Sequence, residues 1–451
     1  MINWFKNWWR SYKFANALKA KNLKLAEKIF QEIQKSNANS SILESIYFEK
    51  QKILSDLGTY KKENLTLRKQ VTAIQVSQKI SKIATSTDTE SDLLKVDSKI
   101  VKFICNETKF NLPQQGDHEF LQFTGIDREI FDSLESKLVN YLNRELSQYH
   151  KDKIQLAYRE LKKVKSGKDP DYSYPLIEYV YLLEYFLNNT YCSYLAWFLI
   201  YRSGKLKNNL KILDVAAGHG TMLYGLAGLV ERFHKNGLET PMHINYHALE
   251  QQDLFLKVGL EFWQEYTANN HPSSNTFWRL DSSNLFDYYK QKVNDLPVQF
   301  FDFIVICHCF FWDSDSRASS NQIYTDIFKK HLAKDGHVVL IIQESKLFSL
   351  FDEKKRTKER EVKIIQDFIS SFSLKLIWYK RVNSTPQREK MNVNLSRFAT
   401  KNLSPQSYLS PMKKKLFTAV FDQIHYNKGR RAQPRNGFYI LICGEFESKL
   451  L

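Results

Sequence analysis

A strand-like apolar run that ends in an acid and a turn of small residues most constrains the fold of this chain. Residues 210–214 read Leu-Lys-Ile-Leu-Asp, the turn holds Ala216, Gly218 and Gly220, and a helix-like stretch follows at 221–233. This order is typical of a parallel α/β sheet that binds a ligand at the carboxyl ends of its strands. The small side chains let the backbone approach that ligand closely.

A second acid, Glu250, closes the next apolar segment, residues 244–249. An acid at the end of the second strand can accept hydrogen bonds from both hydroxyls of a ribose. The turn itself departs from the G-x-G-x-x-G of dinucleotide folds, because Asp214 precedes it and no third glycine stands at the required offset. A carboxylate there repels a pyrophosphate but can hold an ammonium group. The predicted ligand therefore carries a ribose and an amino group.

The spacing Asp214-x-Ala216-x-Gly218-x-Gly220 resembles the first motif, D/E-x-G-x-G-x-G, of the class I S-adenosylmethionine-dependent methyltransferases. The resemblance covers roughly the second half of the chain and implies an α/β fold with a Rossmann-like seven-stranded sheet. It also implies S-adenosylmethionine as cofactor, with Glu250 on the ribose hydroxyls. One departure stands at Ala216, where the family usually has glycine, and its methyl group narrows the expected pocket.

Later segments follow the same family order. Asp281 matches the acid after the third strand, whose neighbourhood binds the adenine amine. The resemblance predicts a fourth strand at 301–306, a helix end, turn and fifth strand at 332–342, a helix at 360–372, and closing strands at 374–379 and 437–444. The cofactor-binding residues that it implies are Asp214, Ala216, Gly218, Gly220, Glu250 and Asp281.

Residues 307–313, after the predicted fourth strand, are the candidates for a methyl-acceptor site. In this family the protein mainly aligns the attack on an activated methyl group and removes a proton. His308 is the candidate base and Asp313 the group that orients His308 or the substrate, although a histidine after an apolar strand can equally be structural. Cys307 and Cys309 are too close together to form a four-ligand metal site by themselves.

Two absent motifs narrow the acceptor. No Asn/Asp-Pro-Pro-Tyr sequence follows the strand, which argues against the exocyclic amine of adenine or the side chain of glutamine. No Pro-Cys pair occurs, which argues against carbon five of a pyrimidine. An oxygen or nitrogen nucleophile of another kind is expected.

The amino-terminal part is helical by its apolar periodicity. Apolar residues recur at helical spacing over 15–33 and again over 42–57, which predicts an αα-hairpin, resembling one tetratricopeptide-like unit, in residues 1–83. The absence of a second copy at a fixed period argues against a solenoid. Such a hairpin is a candidate docking module for a protein partner. Residues 84–97, rich in Thr, Ser and Asp, are the predicted linker.

Residues 98–205 are predicted to form a helical cap region before a methyltransferase-like domain at 206–451. A run of tyrosines in the cap could face the cofactor or, as is more common, belong to the core: Tyr174, Tyr179, Tyr181, Tyr185, Tyr191 and Tyr194. The apolar stretch 179–201 is interrupted by Glu184, Asn188 and Asn189. A pair of buried helices is therefore predicted in preference to a membrane span.

The formal net charge of +17 is uneven along the chain. Residues 1–70 hold 14 basic and 6 acidic side chains, and residues 380–436 hold 13 basic and 2 acidic ones. The later segment interleaves its basic residues with aromatic ones and is predicted to be an insertion near the carboxyl edge of the sheet. This composition suits phosphate contacts and base stacking, which indicates RNA or a ribonucleoprotein as partner. A coding bias toward Lys, Asn and Ile explains the same charge without a partner.

A finer resemblance also points to RNA. Asn189-Thr190-Tyr191 and residues 430–437 resemble parts of the methyltransferase-like proteins that assist assembly of the small ribosomal subunit. Those proteins usually carry a cysteine cluster, which this chain lacks. Its five scattered cysteines fit neither a zinc pattern nor a disulfide framework, and residues 1–10 do not resemble a signal peptide. A reducing cytoplasm is therefore expected.

The sequence thus predicts an S-adenosylmethionine-dependent methyltransferase that modifies an oxygen or nitrogen nucleophile, with RNA or a ribonucleoprotein as the favoured substrate. One alternative is a small-molecule or protein methyltransferase in which the cap tyrosines form the substrate pocket. Another is a non-catalytic binding or assembly factor that keeps the fold.

Overall fold

The computed structural model describes Lys28 and residues 92–108, 127–161, 163–164, 170–238, 242–268, 271–288, 296–311, 313–351, 358–383 and 438–446. The chain divides into two units, Met1–Thr87 and Asp88–Leu451. The predicted hairpin in residues 1–83, apart from Lys28, lies outside the described residues, as do most of the predicted linker at 84–97 and of the basic insertion at 380–436.

A seven-stranded sheet forms the centre of the second unit. Its strands are β1 Asn209–Val215, β2 His243–Glu250, β3 Thr276–Ser282, β4 Phe301–Cys307, β5 Leu332–Gln343, β6 Leu374–Asn383 and β7 Phe438–Phe446. Their order is β3-β2-β1-β4-β5-β7-β6, with β1 to β5 parallel and β7 antiparallel to both of its neighbours. The prediction of a Rossmann-like seven-stranded α/β fold is confirmed.

The helices cover both faces of this sheet. They are α1 Ser98–Thr108, α2 Arg128–Leu146, α3 Lys151–Leu161, α4 Ile177–Arg202, α5 Thr221–Lys235, α6 Asp253–Tyr266, α7 Ser314–His331, α8 Glu344–Leu350 and α9 Lys358–Ser370. One apolar layer packs α2, α4, α5 and α6 against the sheet, and a second packs α7 and α9 against its other face.

The side chains of β1 alternate between these two layers. Leu210 and Ile212 belong to the layer under α4, α5 and α6, whereas Leu213 and Val215 belong to the layer under α7 and α9. Because successive side chains of a strand point to opposite faces, Asp214 lies on the α4 side of the sheet. The same alternation along β2 and β4 brings Glu250 and Cys307 to that side, since Ala248 and Val305 belong to its layer.

A buried ion pair fixes the cap helices to the sheet domain. Arg232 of α5 and Asp127, the residue that caps the amino end of α2, are 2% and 0% exposed. Two nitrogens of the guanidinium contact the two carboxylate oxygens at 2.5 and 2.8 Å, and the hydroxyl of Tyr194 in α4 donates to the same carboxylate at 3.0 Å. Helices α2, α4 and α5 are therefore joined at one buried polar point.

Two local predictions differ from the structure. The stretch at 179–201 forms one continuous helix, α4, instead of a helix pair, because Asn188 and Asn189 interrupt its hydropathy without breaking its backbone. Strand β5 begins already at Leu332, directly after α7, where a helix end and turn were expected. A register shift between Phe301 and Phe303 of β4 accommodates the extra strand residues. Among the described helices, none is both long and apolar enough to span a membrane.

Candidate functional site

The turn after β1 has an unusual backbone at three alternate positions. The φ angles of Ala216, Gly218 and Gly220 are 58°, 55° and 78°, all in the left-handed region. Glycine adopts such angles freely, and a side chain at Gly220 would also come within 2.9 Å of the Trp278 ring. The amide of Ala217 donates to the carbonyl of Leu249 at 3.1 Å, which ties the turn to the end of β2.

Ala216 stands where the family usually has glycine, and it adopts the left-handed conformation that glycine favours. A left-handed backbone costs an L-residue roughly 1–2 kcal/mol. The turn therefore holds local strain at the residue where the sequence departs from the expected motif. Ala216 and Gly218 both remain partly exposed, so the methyl group has not closed this part of the surface.

Glu250 lies at the end of β2 and is 8% exposed. One carboxylate oxygen accepts a hydrogen bond from the amide of Gly218 at 2.9 Å, and the other accepts one from the amide of Gln252 at 3.0 Å. Burial raises the pKa of Glu250, and these backbone hydrogen bonds act in the opposite direction. The amide of Gln251 is a third backbone donor to this carboxylate. An ionised carboxylate has about four acceptor positions, so one remains for a ribose hydroxyl.

Asp214 is 1% exposed and lies on the same side of the sheet. Its Oδ2 accepts a hydrogen bond from the hydroxyl of Tyr246 at 2.5 Å, whereas its Oδ1 has no hydrogen-bond partner among the described residues. Burial raises the pKa of Asp214 to about 8; the hydrogen bond from Tyr246 lowers it and the nearby charge of Glu250 raises it further. Burial therefore favours the protonated form of Asp214 near pH 7, and its Oδ1 is buried without a partner among the described residues.

His219, which the sequence analysis did not single out, lies in the same turn and is 3% exposed. Its ring stacks on Phe255 of α6, with centroids 4.6 Å apart. Burial lowers the pKa of His219 to about 3, so the imidazole is neutral at physiological pH. Three further rings join this pair to form what we call the aromatic cluster: Tyr172, Tyr181, Tyr185, His219 and Phe255.

The tyrosines of the cap thus fall into two groups. Tyr191 and Tyr194 are fully buried and contact Phe131 of α2, which makes them core residues. Tyr181 and Tyr185 are only partly buried and belong to the aromatic cluster beside the turn. The core interpretation therefore holds for Tyr191 and Tyr194, whereas a position of Tyr181 and Tyr185 facing the cofactor stays a prediction.

Asp281 lies near the end of β3, where its Oδ2 is 2.8 Å from Nε2 of His247 and 3.7 Å from the guanidinium of Arg279. The carboxylate is thus held against β2, since His247 belongs to that strand. Its side chain remains 27% exposed. Its expected place near an adenine amine stays a prediction.

His308 follows β4 with a φ angle of 65°, a second strained non-glycine residue at this edge of the sheet. Its amide donates to the carbonyl of Ile341 at 2.8 Å. Burial lowers the pKa of His308 to about 3, and the charge of Lys346 contributes in the same direction. The imidazole is therefore neutral at physiological pH and has a nitrogen lone pair with which to accept a proton.

Asp313 caps the amino end of a helix, which is a structural role. It is exposed, and its carboxylate accepts the backbone N–H of Ser316 at 2.7 Å, which caps the amino end of α7. Hydrogen bonds from Ser316 lower the pKa of Asp313. Asp-Ser-Asp-Ser is a recognisable cap sequence, so this assignment was available from the sequence. The orienting role expected for Asp313 stays a prediction.

The ends of β2, β1 and β4 are neighbours at the carboxyl edge of the sheet, and we refer to the surface that they form there as the groove. Tyr181, Ala216, Gly218, Cys307 and His308 are all partly exposed there, next to the buried carboxylates of Asp214 and Glu250. The thiol of Cys307 shares the Asp214 side, where burial raises its pKa well above the usual value. The groove therefore combines a left-handed backbone, two carboxyl groups with raised pKa values and the aromatic cluster.

The seven-stranded sheet, with its antiparallel β7, agrees with the fold that the sequence resemblance implied. The chain has the class I methyltransferase fold. In open α/β sheets, ligands bind at the carboxyl ends of the strands.

No protein-family model and no curated protein matches the chain. Solved structures that resemble it include an arsenic(III) S-adenosylmethionine methyltransferase from Chlamydomonas reinhardtii, at 12% identity and a TM-score of 0.27 over 53% of this chain and 64% of that one. A methyltransferase from Thiobacillus denitrificans in complex with S-adenosyl-L-homocysteine has 10% identity and a TM-score of 0.31, over 57% and 91% of the two chains. Loganic acid methyltransferase with SAH has 9% identity and a TM-score of 0.31, over 58% and 94%. The alignment therefore spans less than two thirds of the arsenic methyltransferase.

The residues that the sequence analysis missed lie far along the chain from the residues that they contact in the groove. Tyr246 reaches Asp214 from the middle of β2, and Trp278 reaches the Gly220 turn from β3. Phe255 approaches His219 from α6. Few sequence signals indicated these contacts. His219 stands at a variable position of the first motif, between Gly218 and Gly220, and the other residues are single aromatic residues in neighbouring elements.

Proposed function

We propose that this protein is an S-adenosylmethionine-dependent methyltransferase that binds the methyl donor in the groove at the ends of β2, β1 and β4. The observation that carries the proposal is Glu250, a buried carboxylate that accepts hydrogen bonds from the amides of Gly218, Gln251 and Gln252. Of its about four acceptor positions, one remains for a hydroxyl of a ribose. The buried Oδ1 of Asp214, which has no partner among the described residues, suits the ammonium group of the amino-acid part.

The turn supports the same assignment. A side chain at Gly220 would collide with Trp278, and the other left-handed positions carry only Ala216 and Gly218. The backbone therefore offers a surface without long side chains beside both acids. This is the kind of approach that a nucleoside needs when its ribose must reach Glu250.

For catalysis, we propose that His308 removes the proton of the acceptor. The donor, when bound, supplies a methyl group already activated by its positive sulfur. His308 lies at the end of β4, next to β1 in the sheet. Its pKa of about 3 makes it neutral near pH 7 but also a weak base, so the proposed transfer requires a bound substrate that stabilises the protonated imidazole. An oxygen or nitrogen nucleophile that loses its proton to His308 fits this arrangement.

We further propose RNA or a ribonucleoprotein as the substrate. Residues 380–436 carry 13 basic and 2 acidic side chains, and residues 1–70 carry 14 and 6. Asn383 at the end of β6 pairs with Phe438 at the start of β7, and Gln343 at the carboxyl end of β5 pairs with Tyr439. Both flanks of the basic segment therefore lie at the carboxyl edge, which also bears the groove.

Calorimetric titration with S-adenosylmethionine tests the donor site. Glu250→Ala and Asp214→Ala are expected to weaken binding, Glu250→Ala by at least tenfold because it removes a charge-assisted acceptor. Asp335→Ala, in the exposed part of β5 that precedes the buried strand core, is the matched control and should bind as the unmodified protein does. Absence of binding by the unmodified protein would overturn the proposal.

The substrate class needs a separate experiment. Replacing residues 384–437 by a two-residue Asn-Gly turn would join β6 to β7 as a hairpin, since Asn383 and Phe438 are already paired. If RNA is the substrate, this variant loses salt-sensitive RNA binding and keeps donor binding. Retained RNA binding, or turnover of a small molecule by the variant, would instead favour a small-molecule or protein substrate.

A non-catalytic binding or assembly factor is the remaining candidate, and the capping role of Asp313 favours it, because the expected partner of the base is engaged elsewhere. Donor binding without methyl transfer to any RNA or protein fraction would support it. The predicted hairpin in residues 1–83 would then be the docking module for a protein partner. The five cysteines are free thiols, which is compatible with the cytoplasm as the site of action.

A further inference from the structure

Tyr181 occupies a special position within the aromatic cluster. Its ring centroid lies 4.7 Å from that of Tyr185, 4.9 Å from Phe255 and 5.8 Å from His219. The side chain is thus held by rings from α4, from α6 and from the turn after β1. The side chain nevertheless remains partly exposed.

The charged and titratable groups near Tyr181 indicate that it lies over the end of β1. Burial raises the pKa of its phenol well above the usual value, and Tyr172, Tyr185, Glu250 and Cys307 all add to the shift. Glu250 ends β2 and Cys307 ends β4, and these two strands flank β1 in the sheet. A ring close to both strand ends therefore lies above the Asp214 end of β1, between the proposed ribose site and the end of β4.

The ring face of Tyr181 adds to the carboxylates of Glu250 and Asp214 as a group that attracts a cation there. The phenol stays protonated, so it is not a counter-ion. The pKa of His219 is lowered to about 3 by burial, so no imidazolium opposes a cation at this point. An aromatic face in a partly desolvated site attracts a cation through its quadrupole.

We propose that Tyr181 is a specificity-determining residue of the donor site: its ring face lies against the positive sulfur and distinguishes S-adenosylmethionine from the neutral product, S-adenosylhomocysteine. The inference rests on the proposed function, and it adds a means of product release. A product that has lost the positive charge also loses the attraction of the ring. The effect expected of such a contact is about tenfold in affinity.

The test is calorimetric titration of the full-length protein with three ligands: S-adenosylmethionine, S-adenosylhomocysteine, and a donor analogue that carries a charged amine in place of the sulfonium. Tyr181→Leu is expected to weaken the two cationic ligands about tenfold and to leave S-adenosylhomocysteine within twofold. Tyr181→Phe keeps the ring and should behave as the unmodified protein. Tyr181→Met is a second variant without a ring, for use if the leucine variant does not fold.

Tyr179→Leu is the matched control. This tyrosine lies two residues earlier on α4, is also half-buried, and has its ring 6.4 Å from Tyr141 of α2. Its substitution should leave the ratio of the three affinities unchanged. An equal loss for charged and neutral ligands with Tyr181→Leu, or no loss for either, would overturn the role of Tyr181 while the donor site stands. Failure of the unmodified protein to bind any of the three would overturn both proposals.

Discussion

The two edges of the central sheet are built in opposite ways. At the amino edge, Asp302 at the start of β4 accepts from Lys207 at 2.6 Å and from the amide of Lys211 at 3.0 Å, so both oxygens are engaged. At the carboxyl edge, Asp214 keeps one buried oxygen without a partner among the described residues. Asp302 is satisfied within the protein, whereas Asp214 has an acceptor that the described residues do not satisfy, and under the proposed function a ligand engages it.

Backbone geometry does not add to this contrast. Ala216 and His308 follow β1 and β4 with positive φ angles, but Gln299 and Ser373, which precede β4 and β6 at the amino edge, have positive φ angles too. The two edges differ in how their carboxylates are satisfied. Under the proposed function, the amino edge contributes to stability and the carboxyl edge to binding. Substitutions at each end should therefore change different measured quantities.

The largest effect on stability is expected from Arg232→Met. Helix α5 runs from the carboxyl edge toward the amino edge, and Arg232 near its end neutralises the fully buried Asp127. Removing one partner of a buried ion pair costs about 3–5 kcal/mol, because the other charge stays buried without compensation. Urea unfolding measures this loss. Lys235→Met, whose side chain is 31% exposed and pairs with Glu129, is the control and should cost less than about 1 kcal/mol.

Asp302→Ala should reduce stability without changing donor binding. It removes the acceptor of Lys207 and of the Lys211 amide, and the loss expected for hydrogen bonds to a charged group is about 1–3 kcal/mol. Thermal unfolding and donor titration on the same sample check the two parts. A loss of donor affinity comparable to that of Glu250→Ala would mean that the two edges are not independent.

The pH dependence of donor affinity comes next in size. The pKa of Asp214 is about 8 in the empty protein, and a bound cationic ligand favours the ionised carboxylate. Binding then releases a proton below this pKa, so affinity should rise with pH, by at most about tenfold per pH unit. Titration between about pH 6 and 7.5 keeps the amino group of the donor charged. Asp214→Asn should remove the slope, and a flat profile for the unmodified protein would contradict the assignment of Asp214.

The smallest effect is expected from Ala216→Gly. Relief of the left-handed backbone is worth roughly 1–2 kcal/mol, and the greater freedom of glycine in the unfolded chain offsets about 0.4–1 kcal/mol of it. The net result should be a small rise in melting temperature, together with equal or higher donor affinity because the methyl group is gone. A fall in melting temperature would show that Ala216 is not strained.

The fold and the two acids of the donor site were predictable because their signals are local. The end of β1, the turn at Ala216 to Gly220 and Glu250 at the end of β2 are each set by a few consecutive residues. The family resemblance, which follows the order of segments along the chain, located α9 and β6 to within a few residues.

The remaining features depend on contacts between distant segments. The partner of Asp214 is Tyr246, and the aromatic cluster joins residues of the cap to α6, so no local pattern specifies them. The continuous helix α4 also shows the limit of hydropathy, since the polar Asn189 is buried within it. The helix-capping role of Asp313, by contrast, was predictable from the local sequence, but the sequence analysis assigned this residue to catalysis instead.

The pairing of Asn383 with Phe438 has a consequence for protein engineering. Adjacent strands are about 4.8 Å apart, so residues 384–437 leave and re-enter the sheet through neighbouring points. Any module whose own termini are similarly close could be grafted there without moving a strand. Under the proposed function, exchanging such modules would direct the same catalytic site toward different macromolecules.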